Sequence, residues 1–283
     1  MEIYVFKKLA IKKKTGGSMK RFYSITPLLL LILLLLRPLP GIAADASAAE
    51  AKSRIFPGEV KVLGNGVVWS WVKSDEKGNP MALGVTFTET ALSGLPENPP
   101  ADALYGWEYA VALPKQVVAA PFTHVGIDWN PHGHIPPGIY DVPHFDFHFY
   151  LITPKERDKI TARGTDLAKC YMKPASKFIP AGYILPKGTE YPRSGVHWID
   201  PTSPEFNKQP FTLTFIYGSY NGHITFIEPM ITRAFLETKP DIVEPIKLPA
   251  AYQKRGYYPT AYSVKYDPVR REYTIALEAI TRR

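Results

Sequence analysis

From residue 54 onward, apolar and polar positions alternate in short runs, the period of two that sends successive side chains to opposite faces of a strand. Strands are expected over 60–62, 67–72, 83–88, 109–113, 122–129, 144–150, 211–217, 223–228, 258–266 and 272–280. Turn chemistry separates them: Gly64-Asn65-Gly66, the polar stretch 73–80, Asn221-Gly222 and Asp267-Pro268. Helical periodicity is scarce. Thr153, Pro154 and Glu156 have the layout of a capping box, which predicts two to three helical turns ending at Gly164. A second short helix is expected from Pro229 through Phe235, and residues 165–195, rich in Pro and Gly, read as loop over the core. The fold class is therefore mainly β, a sandwich or barrel with one or two short helices and a C-terminal β-hairpin.

The N-terminal 43 residues break this pattern. Lys12 to Lys14, Lys20 and Arg21 precede nine unbroken apolar residues, 28–36, followed by the small-residue stretch 41–46. Basic, apolar and small in that order, they read as a secretory signal peptide with cleavage expected near Ala43, Ala44 or Ala46, an uncleaved anchor being the alternative, and Met19 offers a second start. The apolar run is too short to span a bilayer, so no stable membrane insertion is expected after cleavage. The organisation expected is a signal peptide over 1–43, a main β domain over 44–238, a proline-rich linker over 239–256 and the hairpin over 257–283. The expected location is secreted or periplasmic.

Charge looks different once that segment is set aside. It carries eight Lys/Arg and one Glu, so its loss takes the formal +8 to +1 and removes any case for a nucleic-acid partner. The single cysteine, Cys170, excludes an intrachain disulfide and reads as a buried small hydrophobe.

Candidate chemistry concentrates in residues 128–150. The chain has seven histidines, and His132, His134, His144 and His148 fall in this stretch. On a strand over 144–150, Phe145, Phe147 and Phe149 face one way and His144, Asp146 and His148 the other. The ring face suits a core; the His/Asp face calls for a metal, a ligand or a hydrogen-bond network. Imidazoles with a carboxylate are donors for zinc or non-haem iron, so a divalent metal is expected on a set drawn from His132, His134, His144, Asp146, His148 and His197. Residues four apart on a strand lie roughly 13 Å apart, so His144 and His148 should not share one ion. Glu228 is a further acid that reads equally well as a first-turn helix acid before Pro229, and His124, on an apolar strand, reads as structural.

The motifs in 128–150, with GVHWID (195–200) and YGSYNGHITFIEPMIT (217–232), resemble a small, uncharacterised family of exported bacterial β proteins, some of them labelled hydroxyquinol 1,2-dioxygenases. The resemblance implies a mainly β fold and a homo-oligomer, and family members carry Glu where this chain has Ile135. A dioxygenase of the intradiol type would hold ferric iron with two Tyr and two His; Tyr140 and Tyr150 lie beside the cluster.

Three functions follow as expectations: an exported metal-binding β protein of unestablished activity, a non-haem iron dioxygenase acting on a catechol-like aromatic, and a non-catalytic structural envelope protein. Whether the protein is an enzyme is left open, and the small-molecule ligand is unknown. Neither a Ser/His/Asp order nor a nucleotide-binding fingerprint stands out.

Overall fold

The computed structural model describes residues 53–99 and 106–283, which belong to one compact unit. The expected signal peptide lies outside the described residues. In chain order the strands are β1 (Arg54–Leu63), β2 (Gly66–Ser74), β3 (Pro80–Thr88), β4 (Trp107–Ala112), β5 (His124–Asn130), β6 (His144–Tyr150), β7 (Val196–Trp198), β8 (Leu213–Tyr220), β9 (His223–Thr232), β10 (Asp241–Pro245), β11 (Tyr257–Tyr258), β12 (Ala261–Asp267), β13 (Glu272–Glu278) and β14 (Thr281–Arg282). They form two six-stranded sheets, β1-β2-β3-β13-β12-β10 and β4-β5-β6-β9-β8-β7, with β11 and β14 as a separate pair. Every pairing is antiparallel. The architecture is a sandwich and not a closed barrel, because both sheets end in edge strands.

The core lies between the sheets. Phe145, Phe147 and Phe149 enter it from β6, and Phe87 of β3 stacks on both Phe145 and Phe147 with ring centroids 6.3 Å apart. Val85, Ile275 and Val264 line the first sheet's inner face, and Ile127, Ile227 and Ile231 the second's. All seven residues of β6 are nevertheless buried. Its other face is roofed by the connections on either side of β6 and β7, with Tyr140, Ile199, Phe211, Ile216 and Met230 forming a smaller apolar cluster there.

Several elements differ from expectation. The helix at Thr153 has its capping box, with Thr153 Oγ1 accepting from the Glu156 amide, but spans only Pro154–Arg157. The Asp166 carboxylate accepts the amides of Thr161 and Ala162 at 2.8 and 3.3 Å, and this local alternative replaces further helical turns. Pro229 does not open a helix; β9 runs through it to Thr232 and the helix is Arg233–Glu237. Ile227, Pro229 and Ile231 alternate with Phe226, Glu228 and Met230, all buried, so two-sided burial outweighs the one ladder bond that proline forfeits. Within the proline-rich stretch 239–256, Asp241–Pro245 pairs with β12 as an edge strand. The C-terminal strands are integral to the first sheet, since β13 pairs along β3 from Leu83 to Thr88. The Asn221-Gly222 turn joins β8 to β9, both residues at positive φ (50° and 74°), the two-residue geometry that suits sheet twist. Cys170 is buried, and among the described residues no helix is long and apolar enough to cross a membrane.

Candidate metal centre

The outward face of β6 is where the chemistry gathers, and strand register sets its neighbours. β5 lies antiparallel to β6 with Asn130 opposite His144 and Asp128 opposite Asp146, so all four side chains share one face. On the other flank Phe149 pairs with Ile227 and Asp146 with Met230, a register that sets Glu228 beside His148. β7 brings His197 opposite Gly218 of β8. The turn after β5 is tight: Gly133 has φ +70°, and a Cβ there would stand 2.1 Å from the Tyr140 carbonyl oxygen. That turn delivers His134 back over β6.

Two donor groups result. In one, His134 Nε2 lies 3.2 Å from Asp146 Oδ2 and His144 Nε2 lies 3.1 Å from Asp146 Oδ1. Asn130 donates to Asp146 Oδ2 at 2.8 Å. In the other, Glu228 Oε2 lies 3.3 Å from His148 Nε2 and 3.9 Å from His197 Nε2, while His148 Nδ1 lies 3.5 Å from Asp128 Oδ2. Within each trio the three candidate ligand atoms lie within 4.8 Å of one another. Donors around one ion at about 2.1 Å stand about 3.0–3.4 Å apart, so the shorter separations already match a shared cation.

The imidazoles are oriented for this. Nδ1 of His134 donates to the Ile135 carbonyl at 2.8 Å, Nδ1 of His144 to Val142 at 2.7 Å, and Nδ1 of His197 to Thr189 at 2.7 Å. A carbonyl only accepts, so Nδ1 carries a proton, and Nε2, which holds the lone pair whenever the ring is neutral, points at a carboxylate. Lone pair against carboxylate is repulsive unless a proton or a metal ion stands between them.

Burial sharpens the conflict. Burial and then the neighbouring acids Glu108 and Asp146 hold the Asp128 carboxyl well above the usual range. Glu228 is likewise raised by burial, Asp146 and Asp128. Burial would also raise Asp146, but His144 and His134 outweigh it and hold that carboxylate well below its ordinary value. Burial lowers His148 far below the usual histidine range and His197 to about 4. Among the described residues, six buried side-chain polar atoms lack a hydrogen bond; five are here, on Asp128, Asp146, His148 (both ring nitrogens) and Glu228. Buried polar atoms are rarely left so, and these gather on the outward face of β6, where the two donor groups could each hold a cation.

A cavity of about 360 Å³ opens onto both trios, walled by Ile135, Pro136, Tyr140, Ile216 and Met230 and by the 186–191 loop. A larger cavity of about 520 Å³, at the Asn221 end of the second sheet, has no such donor group.

Of the residues expected from sequence, His134, His144 and Asp146 come together, as do His148 and His197. His144 and His148 fall in different trios, in keeping with their spacing. His132 is exposed and joins neither. Glu228, equally readable as a helix acid, is a strand residue in the second trio, and Asp128 and Asn130 were not singled out at all. His124 sits apart, its Nε2 3.3 Å from Arg157 and its ring stacked on Tyr150. Neither tyrosine offers a phenolate: Tyr140 donates to Glu205 at 3.0 Å, Tyr150 pairs with Ser194 at 2.9 Å, and burial raises both hydroxyls.

Residues 75–129 match the TTHB210-like family, described as hypothetical protein TTHB210. The match supports kinship with an uncharacterised family and runs from the β2–β3 turn through most of β5, so it takes in Asp128 but none of the β6 donors. No curated protein and no solved structure matches the chain.

Proposed function

We propose that this is an exported metal-binding β protein that holds a divalent cation, zinc or iron, on the outward face of β6. The observation that carries the reading is Asp146, which faces the Nε2 atoms of His134 and His144 at 3.2 and 3.1 Å while both rings spend Nδ1–H on backbone carbonyls. Two imidazoles and a carboxylate leave coordination positions for water or a ligand from the adjacent cavity. Export rests on the sequence of residues 1–43. Self-association into a homo-oligomer is supported by β1, an edge strand whose Ile55, Val60 and Val62 are 60–71% exposed. Elemental analysis of the purified chain tests the metal: about one ion or more in wild type, and about one fewer in His144→Ala, is expected. A metal-free wild type would leave only a structural envelope protein.

Non-haem iron dioxygenation of a catechol-like aromatic is the second reading. What favours it is the two-histidine, one-carboxylate donor set beside a cavity, a pattern suited to ferrous iron. Tyr140 and Tyr150, engaged with Glu205 and Ser194, weigh against a ferric site with tyrosinate ligands. Iron content together with oxygen uptake on adding catechol separates this reading from a zinc site.

A further inference from the structure

The donors on β6 do not make one site. We infer that each chain binds two divalent cations, the second on His148, His197 and Glu228, with Asp128 orienting His148. This rests on the metal-binding reading above and extends it in stoichiometry and in residues.

Three strands converge on the second ion. His148 comes from β6, Glu228 from β9 and His197 from β7, and their candidate ligand atoms lie within 4.8 Å of one another. His148 and Glu228 are 3% and 1% exposed, and neither ring nitrogen of His148 nor Oε2 of Glu228 makes a hydrogen bond. A histidine buried between two acids and bonded to neither is an expensive arrangement unless something else satisfies it. A cation on the Glu228 side would take the Nε2 lone pair at the point where it now faces Oε2 at 3.3 Å. That fixes the His148 proton on Nδ1, on the side of Asp128 Oδ2 at 3.5 Å, so Asp128 would accept it as the carbonyls accept those of His134, His144 and His197. All four histidines would then be held the same way, Nδ1 anchored and Nε2 on metal.

Charge supports two ions over one. Three carboxylates, Asp128, Asp146 and Glu228, are each at most 17% exposed by side chain, and they share one face with no lysine or arginine among the described residues within ion-pair distance of any of them. A single divalent cation bound at Asp146 would leave Glu228 and Asp128 facing each other across an unpaired imidazole. The spacing adds to this. His144 and His148 are separated by roughly 13 Å along β6, too far for one first coordination sphere.

The test is cobalt(II) titration of the metal-stripped full chain, with stoichiometry read by calorimetry and by elemental analysis after desalting. Wild type should take up two cobalt ions per chain, Glu228→Gln one, Asp146→Asn one, and the double variant none. His197→Ala, at a partly exposed position, should also bind one and stands in if Glu228→Gln fails to fold. Asp128→Ala should weaken one of the two cobalt ions about 10–100-fold, with Asp128→Asn, which keeps an acceptor, restoring most of it. One cobalt per wild-type chain overturns the two-ion inference while leaving the metal-binding reading intact; none overturns both. Two ions unaffected by Glu228→Gln and His197→Ala would also overturn it, and tight binding in Asp128→Ala would remove Asp128 from the scheme.

Discussion

Phe147 of β6 stacks on Phe87 of β3 across the sandwich, ring centroids 6.3 Å apart and planes within 10°. Both rings are fully buried. On the opposite side of β6, Asp146 and His148 flank Phe147 in sequence and face the candidate metal centre. One strand therefore carries core and site back to back, and the position of the donors depends on how well the rings pack. Phe147→Ala should destabilise the chain by about 3–5 kcal/mol, the usual range for deleting a buried phenylalanine. Urea unfolding measures that loss, and cobalt affinity measured well below the unfolding midpoint should fall with it. Unchanged affinity in a destabilised variant would mean that the roof over the site, and not the core, sets its geometry.

If a cation is resident, its removal should register as stability. An ion bound only by the folded chain stabilises it by about 4 kcal/mol at a thousandfold excess over its dissociation constant. Chelation should lower the melting temperature of wild type markedly, with zinc or cobalt restoring it. In Asp146→Asn/Glu228→Gln the same chelator should do almost nothing. A wild type whose melting is indifferent to chelator and added metal alike would argue for hydrogen-bonded histidines without an ion.

The β6 alternation was legible because a strand's period of two needs no tertiary information: three rings one way, His144, Asp146 and His148 the other. That His144 and His148 do not share one donor group was legible for the same reason, from spacing alone; that each has a group of its own was not. Glu228 and Asp128 were not placed, because their position depends on the β6–β9 and β5–β6 registers, which bring together residues far apart in the chain. Pro229 pointed towards a helix that the two-sided burial of β9 overrides. His132, two residues from a donor, was expected to join it; the positive φ of Gly133 turns the chain so that His134 is delivered and His132 is left in solvent. Periodicity alone also left sandwich and barrel open, since closure is decided by what edge strands such as β1, β4, β7 and β10 pair with.

His124 predicts a pH dependence away from the candidate metal centre. Burial first, and then the positive charge of Arg157 and Arg193, lower its pKa from 6.5 to about 3. A histidine depressed in the folded state contributes stability that is fully present above pH 6.5 and is lost as pH falls towards 3, because the unfolded chain takes up the proton first. The metal-free chain should therefore lose up to about 1.4 kcal/mol per pH unit over that window from this group. His124→Gln should remove this slope, so that the gap between the wild-type and variant stabilities changes by up to about 1.4 kcal/mol per pH unit between pH 6.5 and 3, leaving cobalt stoichiometry at the wild-type value. Parallel profiles would mean that folding does not lower the His124 pKa.

Truncation after Lys239 puts the C-terminal segment to the test. It removes β10, β12 and β13, half the strands of the first sheet, and leaves β3 without the neighbour that pairs with it from Leu83 to Thr88. It also strips Val264, Tyr273, Ile275 and Leu277 from the core, all at most 1% exposed, and Tyr273 is the ring that stacks on Phe87 at 5.3 Å. A sheet cut to β1-β2-β3 would expose Val85 and Phe87 along a new edge, open to pairing with other chains. The truncated protein should fail to give a cooperative thermal transition and should aggregate, whatever metal is supplied, because Phe145, Phe147 and Phe149 would lose much of the wall they pack against. A soluble truncated chain with a wild-type melting temperature would show that the second sheet and its donor groups fold without the C-terminal strands.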